Sequence, residues 1–235
     1  MIKITGKNGF TLIEIAMVMI IAGIIISVIT TTLPSLIQSG KIKKTQAILE
    51  KMDYSLQGYI LSSGRCPCPD TDGDGEENRV DNGTPADPGD DTCSSYAGTL
   101  PHLTLGISSG KDVWHNPVKY GVYEDLIKTT SSDFCDILGS IISFYDSNDY
   151  TPTKLYATDS ANNSSNQAYV IISGGQKDKD GVNGFFDGKN GTAPGVQFEN
   201  SNKIANTDYD DLGKSVSFSY FNGKNCTGVG MRQLY

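Results

Sequence analysis

Histidine is scarce in this chain, which contains only His102 and His115 among its 235 residues. Zinc sites and thiol–imidazole nucleophiles need histidine and cysteine in fixed constellations, and the sequence holds none of these. The segment Cys66-Pro67-Cys68 lacks the two-residue spacing of redox-active cysteine pairs. The serines lie in neither a nucleophile-elbow nor a phosphate-loop context. We therefore expect a protein that is not an enzyme.

Clustered positive charge is also missing. The formal net charge is −8, and no basic patch follows residue 44. Binding to a phosphate backbone depends on grouped lysine and arginine side chains, so the composition predicts no nucleic-acid partner. The acidity suits cations and an extracytoplasmic surface instead. The cysteines agree, because all five follow residue 65 and disulfides persist in oxidising compartments outside the cytoplasm.

What the chain does contain is one long apolar segment. Residues 10–29 read FTLIEIAMVMIIAGIIISVI, with Glu14 as their single charge. About 20 apolar residues suffice for a helix to cross a bilayer. A charge at the bilayer centre costs roughly 2.5 to 3.5 kcal/mol on insertion scales, so Glu14 needs a partner. Because the segment has no lysine or arginine, we expect that partner on another molecule.

The string Gly9-Phe10-Thr11-Leu12-Ile13-Glu14 follows a short basic leader. It resembles the N-terminal signal of type IV pilins and of type II secretion pseudopilins, and is closest in character to the latter. The resemblance implies that residues 1–9 are a leader, that a prepilin peptidase cuts after Gly9, and that Phe10 becomes a methylated N-terminus. It also implies assembly, in which the ammonium group of Phe10 neutralises Glu14 of a neighbouring copy.

The same resemblance implies a function and a location. The chain is expected to be a structural filament subunit, a pseudopilin that supports protein export by a type II secretion-like system. Its partners are then copies of itself, other pilin-like subunits, the prepilin peptidase and an inner-membrane assembly platform with its ATPase. It is expected to cross the bacterial inner membrane once, with its head in the periplasm, and to join a filament after assembly. The alternative is a minor type IV pilin that acts as a calcium-dependent adhesin or tip-binding module.

A helical pattern continues beyond the apolar segment and divides the chain. Residues 10–29 are predicted to form the membrane-spanning half of a long N-terminal helix, residues 30–62 its amphipathic half, and residues 63–235 a globular head. Pro34 is expected to kink or loosen this helix without ending it. Gly64 is expected to end it. The amphipathic face repeats at steps of three and four in Ile42, Thr45, Leu49, Met52, Leu56 and Tyr59.

The head is predicted to pack a small, mainly antiparallel sheet with long calcium-type loops against this helix. That arrangement is an α+β fold, and the resemblance implies the pilin or pseudopilin fold in particular. Residues 168–173 and 216–221 read as strands, with a last strand near residues 228–234. Residues 134–142 are spaced for a short amphipathic helix.

One turn in the head carries a further resemblance. Residues 112–120 match the D-x-W-x-N-P-x-x-Y stretch of major pseudopilins, where a turn feeds the first strand of the sheet. His115 stands where that family usually has glycine, so the turn is expected to differ locally. Trp114 is interpreted as a packing residue.

An acidic loop follows the helix, and its spacing matches a calcium-binding loop in which carboxylates alternate around a sharp glycine turn. Gly75 occupies the glycine position, but Asp81 has a shorter arm than the usual glutamate, and proline-rich sequence replaces the incoming helix. The alternative is a solvated acidic loop, with more charge from Glu77, Asp87, Asp90 and Asp91. The predicted calcium ligands are Asp70, Asp72, Asp74, Glu76 through its carbonyl, Asn78 and Asp81.

A second acidic stretch lies later in the chain, where residues 173–191 read SGGQKDKDGVNGFFDGKNG. With the acidic pair Asp210 and Asp211, it resembles the S-x-G-x-x-x-x-G segment of pseudopilins, whose loop binds calcium and is ordered by it. By spacing alone the signal is weaker than that of the first loop, because Gly, Asp and Asn are ordinary turn residues. The second predicted set is Ser173, Asp178, Asp180, Asp187, Asp210 and Asp211.

Five cysteines allow at most two bridges within one chain. Cys68 and Cys93 flank the first acidic loop, and a bond between them would stabilise the fold by about 3 kcal/mol through the entropy of the unfolded chain. Cys135 with Cys226 would tie the C-terminal segment to the middle of the head, as pilin disulfides often do, and would leave Cys66 free. Spacing alone does not fix the connectivity.

Overall fold

Two compact units make up the chain. The computed structural model describes residues 9–83, 91–128, 134–143, 154–182, 184–191 and 195–226. Contacts within the chain divide it into Met1–Lys43 and Lys44–Tyr235. The second unit, called the head below, begins inside the long N-terminal helix, because the last part of that helix belongs to the head's core.

Helix α1 (Leu12–Ser63) contains 52 residues and passes through Pro34 without a break. Side chains from Gly9 to Lys41 are exposed. This apolar part of the helix is long and apolar enough to cross a membrane. The helix ends where Gly64 takes a positive φ of 68° and its N–H group donates to the carbonyl of Ile60 at 2.9 Å, a common way to close an α-helix.

Within the head, α1 buries the amphipathic face expected from its sequence, and a polar cluster fixes the helix in place. Asp53 is fully buried. Its carboxylate accepts hydrogen bonds from Tyr169 Oη at 2.6 Å, Lys214 Nζ at 2.5 Å and Gln57 Nε2 at 2.9 Å. A buried carboxylate is tolerated when it is paired and hydrogen-bonded, and removing one partner is costly. The apolar part of this face contributes Leu49, Met52, Leu56 and Ile60 to the core.

The main sheet has four antiparallel strands. Strands β1 (Arg79–Val80) and β2 (Thr92–Cys93) form a separate small pair. The main sheet runs in the order β3 (Ala97–Thr99), β4 (Lys119–Val122), β7 (Tyr169–Ser173), β9 (Leu212–Val216). Strand β7 is buried along its whole length and accounts for the strand expected at residues 168–173.

A second sheet of three strands joins β6 (Ser164–Asn166), β5 (Tyr156–Thr158) and β8 (Gln197–Glu199) in that order. Strand β5 is antiparallel to β6 and parallel to β8, so the strand pairing of the head is mainly antiparallel. Gly121 permits close packing here, because a Cβ atom at that position would lie 2.6 Å from the ring of Phe198. The described residues therefore form an α+β fold, as expected.

Two short helices complete the described part of the head. Helix α2 (Phe134–Ser143) matches the helix expected from the sequence. Helix α3 (Phe218–Asn225) replaces most of the strand predicted at residues 216–221, so that prediction is wrong. Ser217 caps α3 by accepting a hydrogen bond from the Tyr220 N–H group, and helical spacing turns Phe218 and Phe221 into the core together. The strand expected near residues 228–234 lies outside the described residues.

The turn before β4 has an unusual backbone. Asp112 Oδ1 accepts hydrogen bonds from the N–H groups of Trp114 at 2.8 Å and Asn116 at 3.0 Å. His115 adopts a φ of 67°, in the left-handed region that favours glycine. The turn therefore keeps a glycine-like conformation with histidine in place, and Trp114 is half-buried.

Candidate functional site

The first candidate site is Glu14, near the start of α1. Its Oε2 atom accepts hydrogen bonds from the backbone N–H and the hydroxyl of Thr11, both at 2.9 Å, and its own N–H group donates to Thr11 Oγ1 at 3.3 Å. This reciprocal arrangement is a capping box. The expectation that Glu14 has its partner on another molecule is therefore incomplete, because Thr11 satisfies its hydrogen bonds within the chain.

The capping box was readable in the sequence as Thr-x-x-Glu immediately before an apolar run, and it was missed. It satisfies hydrogen bonds but brings no positive charge. Gly9 and Phe10 are exposed and lie before the helix, and residues 1–8 of the leader lie outside the described residues.

The second candidate site is the first acidic loop, centred on Asp70. This aspartate is buried, and its two carboxylate oxygens accept hydrogen bonds from four donors: the N–H groups of Asp72, Gly73 and Gly75 and the hydroxyl of Thr99. The shortest is 2.6 Å, from Gly73. The loop is thus wound around the carboxylate of Asp70.

The remaining predicted ligands of this loop are exposed or serve its turns. Asp72 Oδ1 accepts from the N–H group of Asp74, and Asp74 Oδ1 from that of Glu76 at 2.7 Å. Asn78 Oδ1 accepts from the N–H group of Thr71 at 2.6 Å. The carboxylates of Asp70, Asp72 and Asp74 approach within 4.8 Å of one another. Asp81 is outside this group and accepts from the N–H group of Gly83.

Glu77 holds the first loop to the end of α1, which corrects its interpretation as a solvated charge. It forms a two-pronged ion pair with Arg65 at 2.6 and 2.7 Å and accepts from the N–H group of Cys68 at 2.9 Å. Burial alone would raise the pKa of Glu77, but the bonds from Arg65 and Cys68 hold that pKa below its ordinary value. Asp91 is also paired, with Arg79 at 3.2 Å, whereas Asp87 and Asp90 lie outside the described residues.

Two disulfide bonds cross-link segments of the head. The structure contains the disulfides Cys68–Cys93 and Cys135–Cys226, which are the two pairs expected from the sequence. Cys66 is free and buried, and burial raises the pKa of its thiol well above the ordinary value. Its thiol is therefore held in the protonated, unreactive form.

The third candidate site is the second acidic loop, where Asp187, Asp210 and Asp211 bring carboxylate oxygens within 4.8 Å of one another. Asp187 is fully buried and Asp211 is 4% exposed. Asp187 Oδ1 accepts from the N–H group of Lys179 at 2.8 Å, and its Oδ2 from that of Asp210, also at 2.8 Å. Asp187 thereby ties the two halves of the loop together.

Three other predicted residues take different places. Asp178 and Asp180 form a second group with the buried Asp187, in which the carboxylate oxygens again lie within 4.8 Å of one another. Both accept hydrogen bonds from N–H groups of their own loop. Ser173 is buried, and its hydroxyl donates to Asp112 Oδ2 at 2.6 Å. Gly175 belongs beside the cluster, because a Cβ atom there would lie 2.5 Å from Asp210 Oδ1.

The cluster of Asp187, Asp210 and Asp211 leaves oxygen atoms without partners. Within the described residues, Asp210 Oδ1 and Asp211 Oδ1 are buried and accept no hydrogen bond. Burial raises the pKa of Asp211 to about 8, and the charges of Asp187 and Asp210 act in the same direction. Burial also raises the pKa of Asp210. Such orphaned, crowded carboxylate oxygens fit a hard cation such as calcium, which takes several oxygen ligands.

Two residues that the sequence did not single out organise this cluster. Asn190 is fully buried, and its Nδ2 donates to Asp211 Oδ2 at 2.8 Å while its Oδ1 accepts from the N–H group of Glu199 at 2.8 Å. Lys119 Nζ donates to the backbone carbonyl of Asn190 at 2.5 Å. Burial lowers the pKa of Lys119 to about 8, opposed by the charge of Asp211. Lys119 and Asn190 lie within residues 112–120 and 173–191, but at positions without an acidic signal, and only folding brings them to the aspartates.

Comparison with protein-family models, with curated proteins and with solved structures found no match to this chain.

Proposed function

We propose that this protein is a structural filament subunit, a pseudopilin of a type II secretion-like system, inserted once in the bacterial inner membrane with its head in the periplasm. The observation that carries the proposal is the division of α1. Its apolar part is exposed from Leu12 onward and holds the lone carboxylate Glu14, whereas its later part is built into the head's core. A helix of this kind needs both a membrane and other helices to cover it.

In this proposal, a prepilin peptidase cuts after Gly9 and methylates Phe10, and an assembly platform with its ATPase adds the subunit to a filament of like subunits. The new ammonium group of Phe10 on one copy then supplies the charge that Glu14 lacks in its own segment. A buried ion pair of this kind fixes register, since a shifted neighbour would leave both charges unpaired.

The test compares Glu14→Ala with Glu14→Gln in cells that make the full-length protein. Glutamine can replace glutamate in a capping box, so Glu14→Gln keeps the helix start and removes only the charge. We expect both variants to be cleaved normally, by the mass of the mature N-terminus, and both to lose cross-links between copies through α1. Normal cross-linking of Glu14→Gln would refute the ion pair. Defects confined to Glu14→Ala would assign Glu14 to capping alone.

We also propose that calcium binds the head at Asp187, Asp210 and Asp211. Bound calcium would neutralise the negative charge of these carboxylates, whose ionised form is disfavoured by burial. The orphaned oxygens of Asp210 and Asp211 favour this cluster over the first loop, where the turns of the loop itself use the carboxylate of Asp70.

The calcium proposal is tested by melting the full-length protein in detergent, with excess calcium and with chelator. A ligand that binds only the folded state raises its stability, by about 2.7 kcal/mol at 100 times the dissociation constant. We expect a higher melting temperature with calcium for the wild type and for Asp72→Ala, but not for Asp211→Asn. Identical melting of the wild type in both conditions would refute structural calcium.

The alternative function, a minor pilin that binds a ligand at the filament tip, is favoured by one feature. A cavity of about 610 Å³ lies beside the first acidic loop, lined among others by Asp70, Asp72, Lys119 and Phe186. Immunogold labelling separates the two functions. Labelled filaments outside the cell would support the adhesin, and label confined to the periplasm would support the pseudopilin.

A further inference from the structure

The side chain of Lys119 occupies an unusual place for a charged group. It projects from β4 between two aromatic rings, with Nζ 5.6 Å from the ring centre of Phe186 and 5.3 Å from that of Phe198. Its amine donates to the backbone carbonyl of Asn190 at 2.5 Å. Moving an ammonium group out of water is costly unless charge and hydrogen bonds compensate. The compensating negative charge has to be nearby.

Asn190 connects Lys119 to that charge. Its backbone carbonyl accepts from Lys119, its side chain donates to Asp211 at 2.8 Å, and its own N–H group donates to the carbonyl of Asp187 at 3.2 Å. Asn190 therefore links the amine of Lys119 to the carboxylate of Asp211 and to the backbone of Asp187. Lys179, whose charge acts on Asp210, is exposed, so water screens it more strongly.

We propose that Lys119 is the built-in counter-charge of the cluster formed by Asp187, Asp210 and Asp211, and that it sets how tightly the cluster binds a divalent cation. The proposal rests on the calcium binding proposed above. Without a cation, the positive charge of Lys119 partly offsets the negative charge of the cluster and lets the loop fold. With a cation, the same charge repels it, which keeps binding weaker than the carboxylates alone would give.

The experiment compares Lys119→Met with Lys119→Arg in the full-length protein in detergent. Lys111→Met is the matched control, because Lys111 is exposed and the net charge changes equally. Calcium affinity is measured by titration calorimetry, and thermal stability in chelator by circular dichroism. The charges of Lys119 and Asp211 act on each other, and a unit charge near a partly buried site changes divalent binding strongly. We expect Lys119→Met to bind calcium at least tenfold more tightly and to melt about 5 °C lower in chelator, with Lys119→Arg and Lys111→Met close to the wild type.

The outcomes are distinguishable. Unchanged calcium affinity in Lys119→Met refutes the role of Lys119 and leaves the calcium proposal standing, whereas absence of binding in both the wild type and Lys119→Met refutes both proposals. If Lys119→Met is unfolded in chelator, the double variant Lys119→Met/Asp210→Asn decides. Recovery of folding shows that uncompensated charge was the cause, and failure to recover shows that lost packing was, which overturns the proposal.

Discussion

The two acidic loops of the head are similar in composition but opposite in construction. In the first, the carboxylate of Asp70 accepts hydrogen bonds from four donors, and the neighbouring Asp72 and Asp74 are exposed. In the second, Asp187 and Asp211 are buried, and one oxygen of Asp211 has no hydrogen-bond partner within the described residues. The first loop is complete without a cation, whereas the second leaves room for one.

The difference shows what spacing measures. Alternating aspartates around a glycine describe a turn that is compatible with calcium, but the same turn is also stable when its carboxylates accept from its own N–H groups. A carboxylate cluster favours a cation when its oxygens are buried and lack hydrogen-bond donors. Such a cluster forms here where distant segments of the chain pack together. Asp187 and the pair Asp210 and Asp211 are more than 20 residues apart in the chain. Four changes to the protein test this comparison.

The largest effect is expected from removing the covalent closure of the first loop. Replacing Cys68 and Cys93 by alanine removes a disulfide that links residues 25 positions apart in the chain. The free energy of unfolding should fall by about 3 kcal/mol, because the unfolded chain gains entropy. Urea unfolding measures the loss. The melting shift produced by calcium should persist. Its disappearance would show that the two loops are not independent.

The next effect is a dependence on pH in the presence of chelator. Burial raises the pKa of Asp211 to about 8, so the folded protein holds a proton that the unfolded protein releases at lower pH. The contribution of this bound proton to the free energy of unfolding is fully present below the ordinary pKa of aspartate. It is lost as the pH rises through about 8. We expect the free energy of unfolding to fall by about 2 kcal/mol between pH 6 and pH 8.

Asp211→Asn supplies the control for that dependence, since an amide does not titrate in this range. Urea unfolding at a series of pH values should show a flatter profile for the variant. Calcium should flatten the wild-type profile as well, because a bound cation favours the ionised carboxylate. A wild-type profile that is already flat in chelator would contradict the raised pKa of Asp211 in the folded protein.

An effect of similar size is expected at Asp70. Asp70→Ala leaves the N–H groups of Gly73 and Gly75 without their acceptor, and we expect a loss of about 2 kcal/mol in the free energy of unfolding. Chelator and calcium should give the same loss, because this carboxylate serves the loop itself. A loss that appears only with calcium present would assign Asp70 to a cation site and erase the contrast between the loops.

The smallest effect is expected at Asp81, the last position of the calcium-type pattern. It is exposed, and its carboxylate accepts a hydrogen bond from the nearby N–H group of Gly83. Asp81→Ala should shift the melting temperature by about 1 °C or less. It should also leave calcium affinity unchanged in calorimetry. Weaker calcium binding by this variant would restore the first loop as the cation site.

Local and periodic features of the fold were predictable from the sequence. The predicted repeat is buried from Thr45 to Leu56, although Ile42 and Tyr59 at its two ends are half-buried, and Gly64 marks the helix end as predicted. The run at residues 216–221 misled, because alternation over six residues resembles a strand while Ser217 is also a good helix cap. In the structure, Ser217 caps a helix that begins at Phe218.

The candidate site was predictable only in part, because the missing residues come from separate elements. Asp187, Asp210 and Asp211 carry acidic signals, but Lys119 and Asn190 look ordinary in the sequence and become important through the pairing of β4 with the rest of the sheet. Ser173 shows the converse. Its place in a family-like motif suggested a ligand, yet its hydroxyl bonds Asp112 in the turn before β4.

The capping box at Thr11 and Glu14 also decides where α1 begins. Leu12 is its first residue, which leaves the peptide bond between Gly9 and Phe10 in non-helical chain. Proteases act on extended backbone, so the proposed cleavage would require no turn of the apolar helix to unwind. In the proposed function, Thr11 would start the helix after the cleavage site, so that this site stays in extended backbone.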